Sequence, residues 1–196
     1  MSTTHPLTGP ATRTIGGAEL PAPGRWEIDP GHAEVAFIGR HLVVSKVRGR
    51  FTGVRGTVVV DEEPEASSLE VEIDLATVDS GDATRDEHLR SADLLDVEAH
   101  PTATYRSTAV RWDGSAGTVE GEQTIHGVTR PVPLQVEHLG TVTDPWGGVR
   151  AAFSAHTTID REDWGITWNM PLANGGLVVS KEIRIEIEVE TVRTDA

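Results

Sequence analysis

Along most of this chain apolar and polar residues alternate with a period of two, the pattern of strands that bury one face. The alternation is clearest near the C-terminus, where Ile183, Ile185, Ile187 and Val189 oppose Arg184, Glu186, Glu188 and Glu190. Leu69, Val71, Ile73 and Leu75 alternate with Glu70, Glu72 and Asp74 in the same way. Val35 and Phe37 share one face of a strand expected over 33–38, after an Asp-Pro-Gly turn signal. Residues 51–61 read as a further strand, with Gly53 and Gly56 as bends that help curl a sheet. Strands are also expected over 102–112, 117–125, 128–142, 149–159 and 181–193. About eight long antiparallel strands favour a closed barrel, because closure removes the edges they would otherwise expose.

The period breaks once, over 83–95. Leu89, Ala92, Leu94 and Leu95 there predict one short amphipathic helix and its exit, with charges on the other side and Pro101 ending the excursion. The fold class is therefore all-β, an eight-stranded antiparallel barrel with one short inserted helix. Residues 1–24, rich in Thr, Pro, Gly and Ala, show no sustained period and read as a loosely ordered arm. Residues 25–193 form the barrel domain.

Composition sharpens this picture in three places. A formal net charge of −14 argues against nucleic acid or an anionic membrane surface as a partner. The absence of cysteine removes disulfides, thiol nucleophiles and thiolate metal sites. Only 5% of the residues are Phe, Trp or Tyr, so little bulk is available to fill a barrel interior. Several positions on the apolar faces are small: Ala103, Gly121, Ala151 and Ala155. Ala151 and Ala155 flank Phe153 on one face. A native interior tolerates few voids larger than a water, so this face either surrounds a guest or is filled by the helix and larger aliphatics. No stretch approaches the ~20 apolar residues of a membrane span. Residues 1–10 lack the basic cluster and apolar run of a signal peptide, which points to the cytoplasm.

The eight histidines raise the possibility of metal or acid–base chemistry. No His pair has compact ligand spacing, although histidines from different strands could converge, and no bound metal or cofactor is expected. No Gly-x-Ser-x-Gly elbow is present, and His88 with Ser91 makes no triad without an orienting acid and an oxyanion hole. Asp160-Arg161-Glu162-Asp163 reads as a solvated turn with Trp164, Ile166 and Trp168 packed behind it. His126-Gly127 reads as a hairpin turn in which Gly supplies the positive φ. A metal-dependent or hydrolytic enzyme, and a filled barrel acting as an interaction or stress protein, are the rival functional classes.

A set of motifs runs in order along the chain. They are Trp26, Ile28-Asp29-Pro30, His32, the stretch from His41 to Phe51, Arg85-Asp86-Glu87-His88-Leu89 with Ser91 and Asp93, His126-Gly127-Val128-Thr129, and Arg161-Glu162-Asp163-Trp164-Gly165-Ile166. Together they resemble the YceI-like family from about Trp26 to Val192. The resemblance implies a lipocalin-like barrel that holds an isoprenoid chain, a polyisoprenoid or polyprenyl quinone, as cargo for storage, transport or sequestration. Ala33 stands where that family usually has Ser, and Leu94-Leu95 where an aromatic pair is usual. On this reading the lumen candidates are Val35, Phe37, Leu42, Phe51, Leu89 and Leu94, with Leu95, Tyr105, Phe153, Ile166 and Trp168. His41, Arg85, Asp86 and His88 are candidates for a polar mouth; the competing role is a helix cap and ion-pair cluster for Arg85, Asp86 and His88, and a hydrogen-bonded turn histidine for His41. The partner implied is the lipid, with a homodimer left open.

Overall fold

The computed structural model describes residues 10–42, 44–171 and 177–194. Twelve strands and one α-helix follow in order: β1 (Thr12–Ile15), β2 (Ala18–Pro21), β3 (Gly24–His41), β4 (Ser45–Phe51), β5 (Val54–Val60), β6 (Ser68–Asp74), β7 (Val78–Asp79), α1 (Ala83–Arg90), β8 (Thr102–Asp113), β9 (Ala116–Ile125), β10 (Val128–Thr143), β11 (Val149–Asp160) and β12 (Glu182–Arg193). β12 pairs with β11 on one side and with β3 on the other, which closes the sheet. β5 pairs with the first half of β3 and β4 with the second, so β4 and β5 act as one bent strand. The ring is therefore an eight-stranded antiparallel barrel, as the alternation predicts.

Two strand expectations change. The segment 51–61 is not one strand: the chain breaks at Thr52-Gly53, where a Cβ on Gly53 would collide with Thr77 and Asp74. The Asp-Pro-Gly sequence is not a turn but part of a bulge inside β3. Ile28 pairs with Thr191 and Ala33 with Val189, so 29–32 loop out opposite Glu190. β4 shows no clear alternation in the sequence, because charges interrupt it and Gly49 occupies an inward position. There the Phe37 ring lies where a Cβ would be.

The N-terminal arm also has more structure than its composition suggests. Residues 1–9 lie outside the described residues, but β1 and β2 pair as a hairpin joined by Gly16-Gly17, both at positive φ. Leu20, Pro21 and Ala22 are buried beneath it. Arg13 donates to the carbonyl oxygens of Asp61 and Glu62, tying the hairpin across the β5–β6 connection. Near this hairpin end Trp26 is fully buried against Val149 and Ala151, and its Nε1 donates to Ala22 O at 3.2 Å.

The opposite end carries α1. Asp82 caps it by accepting from Arg85 N at 2.9 Å. Asp86 is buried and accepts from Ser80 N and Oγ, while Arg90 donates to Ala76 O and Val78 O. These bonds fix the helix on the barrel and aim Leu89 inward. Among the described residues no helix is long and apolar enough to cross a membrane.

Candidate functional site: an apolar chamber in the barrel

The barrel encloses a cavity of about 870 Å³ that runs from beneath the hairpin to the helix end. That volume lies near the top of the ~300–1,000 Å³ range of small-molecule sites. Its wall is built by the inward faces of the strands, where Phe153, Ala155, Ile185, Ile187 and Val189 remain only partly covered by protein. A close-packed interior would bury such side chains completely.

Ten of the eleven lumen candidates line this cavity: Val35, Phe37, Phe51, Leu89, Leu94, Leu95, Tyr105, Phe153, Ile166 and Trp168. Leu42 does not. It sits at φ 54° in the β3–β4 turn and is exposed, because the chain reverses there. Of the mouth candidates, His41, Arg85 and His88 line the helix end of the cavity. Asp86 does not, since its carboxylate turns back to Ser80 and does the structural work of anchoring α1. His41, Arg85, Arg40 and Asp82 are exposed as well as cavity-lining, so the helix end is where the chamber meets solvent.

The small residues divide into two groups. Ala103 and Ala155 line the cavity, as expected of positions that leave room for a guest. Gly121 instead makes a seat for Tyr105, whose ring and hydroxyl occupy the space a Cβ would need. The Tyr105 hydroxyl lies 2.9 Å from both Val119 O and Val132 O and shares its proton between them. Burial pushes this phenol above its ordinary range, so it remains a neutral donor. Ala151 packs on Trp26 and belongs to the filled hairpin end, not to the chamber.

One site residue escaped the sequence reading. Arg161, expected in a solvated turn, is only 6% exposed and contributes to the cavity wall. Its Nε donates to Ser180 O at 3.1 Å and its Nη1 to Ile166 O, which holds the following loop in place. Nη2 is buried with no hydrogen-bond partner. Burial pushes the guanidinium below its ordinary pKa, while Glu162 and Asp160 act the other way at longer range. No carboxylate among the described residues forms an ion pair with it. Glu162 pairs with Lys181, and Asp160 accepts from Glu162 N. The only sequence signal for this burial was the apolar run Trp164, Ile166 and Trp168 that follows.

At the mouth, His88 Nε2 lies 3.4 Å from an Asp93 carboxylate oxygen. Ser91 donates to the backbone oxygen of His88, and the His88 ring packs edge-on against Trp168 with centroids 4.4 Å apart. Outside the cavity two groups of possible metal ligands converge: Asp29, His32 and Glu190, and Asp96, His100 and His126. Arg150 bonds both Asp29 and Glu190, so a cation already occupies the first group.

Comparison with known proteins agrees with this architecture. A UPF0312 protein of Pectobacterium atrosepticum is 38% identical over 188 residues, which is 95% of each chain. The solved structure of BcnA from Burkholderia cenocepacia is similar at a TM-score of 0.71 and 20% identity, covering 83% of this chain and 98% of that one. A polyisoprenoid binding domain from Saccharophagus degradans superposes at a TM-score of 0.61 and 16% identity, covering 88% and 100%. The sequence matches the YceI-like domain over residues 26–191, and the chain belongs to the YceI-like family.

Proposed function

We propose that this protein holds one long isoprenoid lipid, a polyisoprenoid or polyprenyl quinone, in the barrel for storage, transport or sequestration. The observation that carries this reading is the apolar chamber of about 870 Å³ between a filled hairpin end and an accessible helix end. Each methylene moved from water into such a wall contributes ~0.8 kcal/mol, so a chain of isoprene units has ample driving force. Ordering that flexible chain offsets much of it, which makes the match between chamber shape and ligand decisive. The similarity in fold to a domain described as polyisoprenoid binding supports the same reading.

The polar head of the lipid lies at the helix end. Arg161 Nη2 is a buried donor without an acceptor, and a carbonyl or anionic head group satisfies it. Arg85 and His88 stand nearer the solvent on the same rim. On this reading the protein acts as a carrier and not as an enzyme: the chamber is lined chiefly by hydrocarbon, and Ser91 donates to the His88 backbone rather than to its ring.

Native mass spectrometry of the purified protein, followed by solvent extraction, tests the proposal. The expected result is one isoprenoid lipid per barrel, or its uptake when a polyprenyl quinone is added to lipid-free protein. Protein that is lipid-free and takes up no polyprenyl quinone would contradict it.

A further inference from the structure

The helix end has a second group of side chains that the lipid chamber does not use. Asp96 and His100 lie in the turns that follow α1, and His126 lies in the two-residue turn between β9 and β10. Each offers one ligand atom, and these atoms all fall within 4.8 Å of one another. All three residues are partly buried. Among the described residues, none of the three side chains takes part in a hydrogen bond or ion pair. The nearest ring contact is His100 on His126, edge to face with centroids 4.8 Å apart.

The backbone supports this convergence. Asp96 has φ 46° and His126 φ 51°, two of the three left-handed non-glycine residues described. Left-handed backbone costs an L-residue energy, and such positions gather where a side chain must be aimed. The turn at His126-Gly127 would accept Asn-Gly more readily. His100 is also held in place. Its backbone N donates to Asp96 O at 2.8 Å, and its ring lies against Gly127, where a Cβ would crowd it.

Two imidazoles and a carboxylate, without a hydrogen-bond or ion-pair partner among the described residues, form a ligand set suited to a borderline divalent transition metal. We propose that Asp96, His100 and His126 bind one such ion, with zinc as the representative probe, leaving at least one coordination position for water. The ion ties the turn after α1 to the β9–β10 turn. Leu94, Leu95 and Ile125, which immediately precede these two limbs, line the chamber. Metal binding therefore braces the chamber wall beside its mouth, and it does so whether or not the cargo is a lipid.

The test uses the full chain, stripped with a chelator and then titrated with Zn²⁺ against a chromophoric competitor. One Zn²⁺ per chain is expected, together with a rise in melting temperature on metal addition. Asp96→Asn and His126→Asn both tolerate left-handed backbone and so keep the turns, while His100→Ala removes the third ligand. Each is expected to weaken binding by roughly 100-fold or more, since even outer-shell losses cost ~10–100-fold. His156→Ala, at an exposed histidine on β11, is expected to bind as the wild type does. Wild-type protein without stoichiometric zinc, or Asp96→Asn and His126→Asn variants that bind zinc as tightly as wild type, would overturn the proposal.

Discussion

At the hairpin end of the barrel, Trp26 fills the space above Ala151, Thr191 donates to Ala151 O, and Leu20 and Ala22 seal the hairpin onto the core. Outside this packing, Arg150 bonds Asp29, Asp144 and Glu190 together. At the helix end the same strands carry leucines on a short helix and loop, exposed Arg40, His41 and Arg85, and a buried Arg161 without a counter-ion. The hairpin end buries Trp26 and joins Arg150 to three carboxylates, although Arg13 Nε is buried there without a hydrogen-bond partner and Trp146 is exposed; at the helix end Arg161 has no counter-ion among the described residues. The contrast teaches that the barrel has a direction. On the proposed reading, the packed hairpin end supplies stability and the helix end meets the ligand's head.

The sharpest way to break this contrast is to remove the filled end. Trp26→Ala is expected to lower unfolding free energy by about 3–5 kcal/mol, the usual cost of truncating a buried aromatic, as measured by denaturant titration. A loss below 1 kcal/mol would show that the hairpin end is not the stable one. The complementary change, Arg161→Met, acts on ligand more than on fold. Affinity for an isoprenoid with a carbonyl or anionic head is expected to drop about 10-fold or more, because a hydrogen bond to a charged group contributes ~1.5–3 kcal/mol. Affinity for a headless hydrocarbon of equal length is expected to stay unchanged. Equal losses for both ligands would place the head elsewhere.

What the sequence made legible follows this same division. Regular alternation marked β12, β6 and the β8–β11 series, and with them most of the chamber wall, because a half-buried strand writes its inner face into every second residue. Signals failed where tertiary packing overrode the period. Gly49 carries no apolar side chain to mark an inner face, because the Phe37 ring lies over it, and Gly121 reads as free space although Tyr105 fills it. Arg161 sits in a 3₁₀ turn, whose short span carries no periodicity, so its burial was not readable. Asp96, His100 and His126 are joined only by the closure of distant turns. The Asp29–His32 bulge resembled a turn because the same residues favour both.

Acidification probes the hairpin end without mutation. His138 is buried near the hairpin, and burial pushes its imidazole below the ordinary value of 6.5. The unfolded chain then binds a proton more readily than the folded one, so stability is full above pH 6.5 and falls as pH drops below it. Asp29 is held at about 2, against an ordinary 3.8, by hydrogen bonds from Arg150 first and His32 second. Its contribution is present above pH 3.8 and is lost as pH falls toward 2. Melting temperature is therefore expected to fall in two stages, and His138→Gln to remove the first. A single stage in the wild type, or a first stage unaffected by that substitution, would show that the buried histidine is not the sensor.

The smallest effect is expected on the outer wall between the ends. Arg55 is 67% exposed and pairs with Glu72 across β5 and β6. Arg55→Ala is expected to change stability by no more than ~0.5 kcal/mol and lipid content not at all, because exposed ion pairs contribute little. A larger effect by thermal denaturation would mean that the wall, and not the packed end, carries the stability.

Ala151 and Ala155 lie four residues apart on the same face of β11, yet one packs against Trp26 and the other lines the chamber. Lipid stoichiometry by native mass spectrometry, measured on Ala155→Trp beside the wild type and Ala151→Trp, tests the central claim most directly. The new indole of Ala155→Trp is expected to take ligand volume, so this variant should lose most of its lipid while its melting temperature stays close to wild type. Ala151→Trp is expected to overpack the filled end and lose about 1–3 kcal/mol of stability. Full lipid retention by a folded Ala155→Trp variant would contradict the account, because the cargo could not then occupy the barrel.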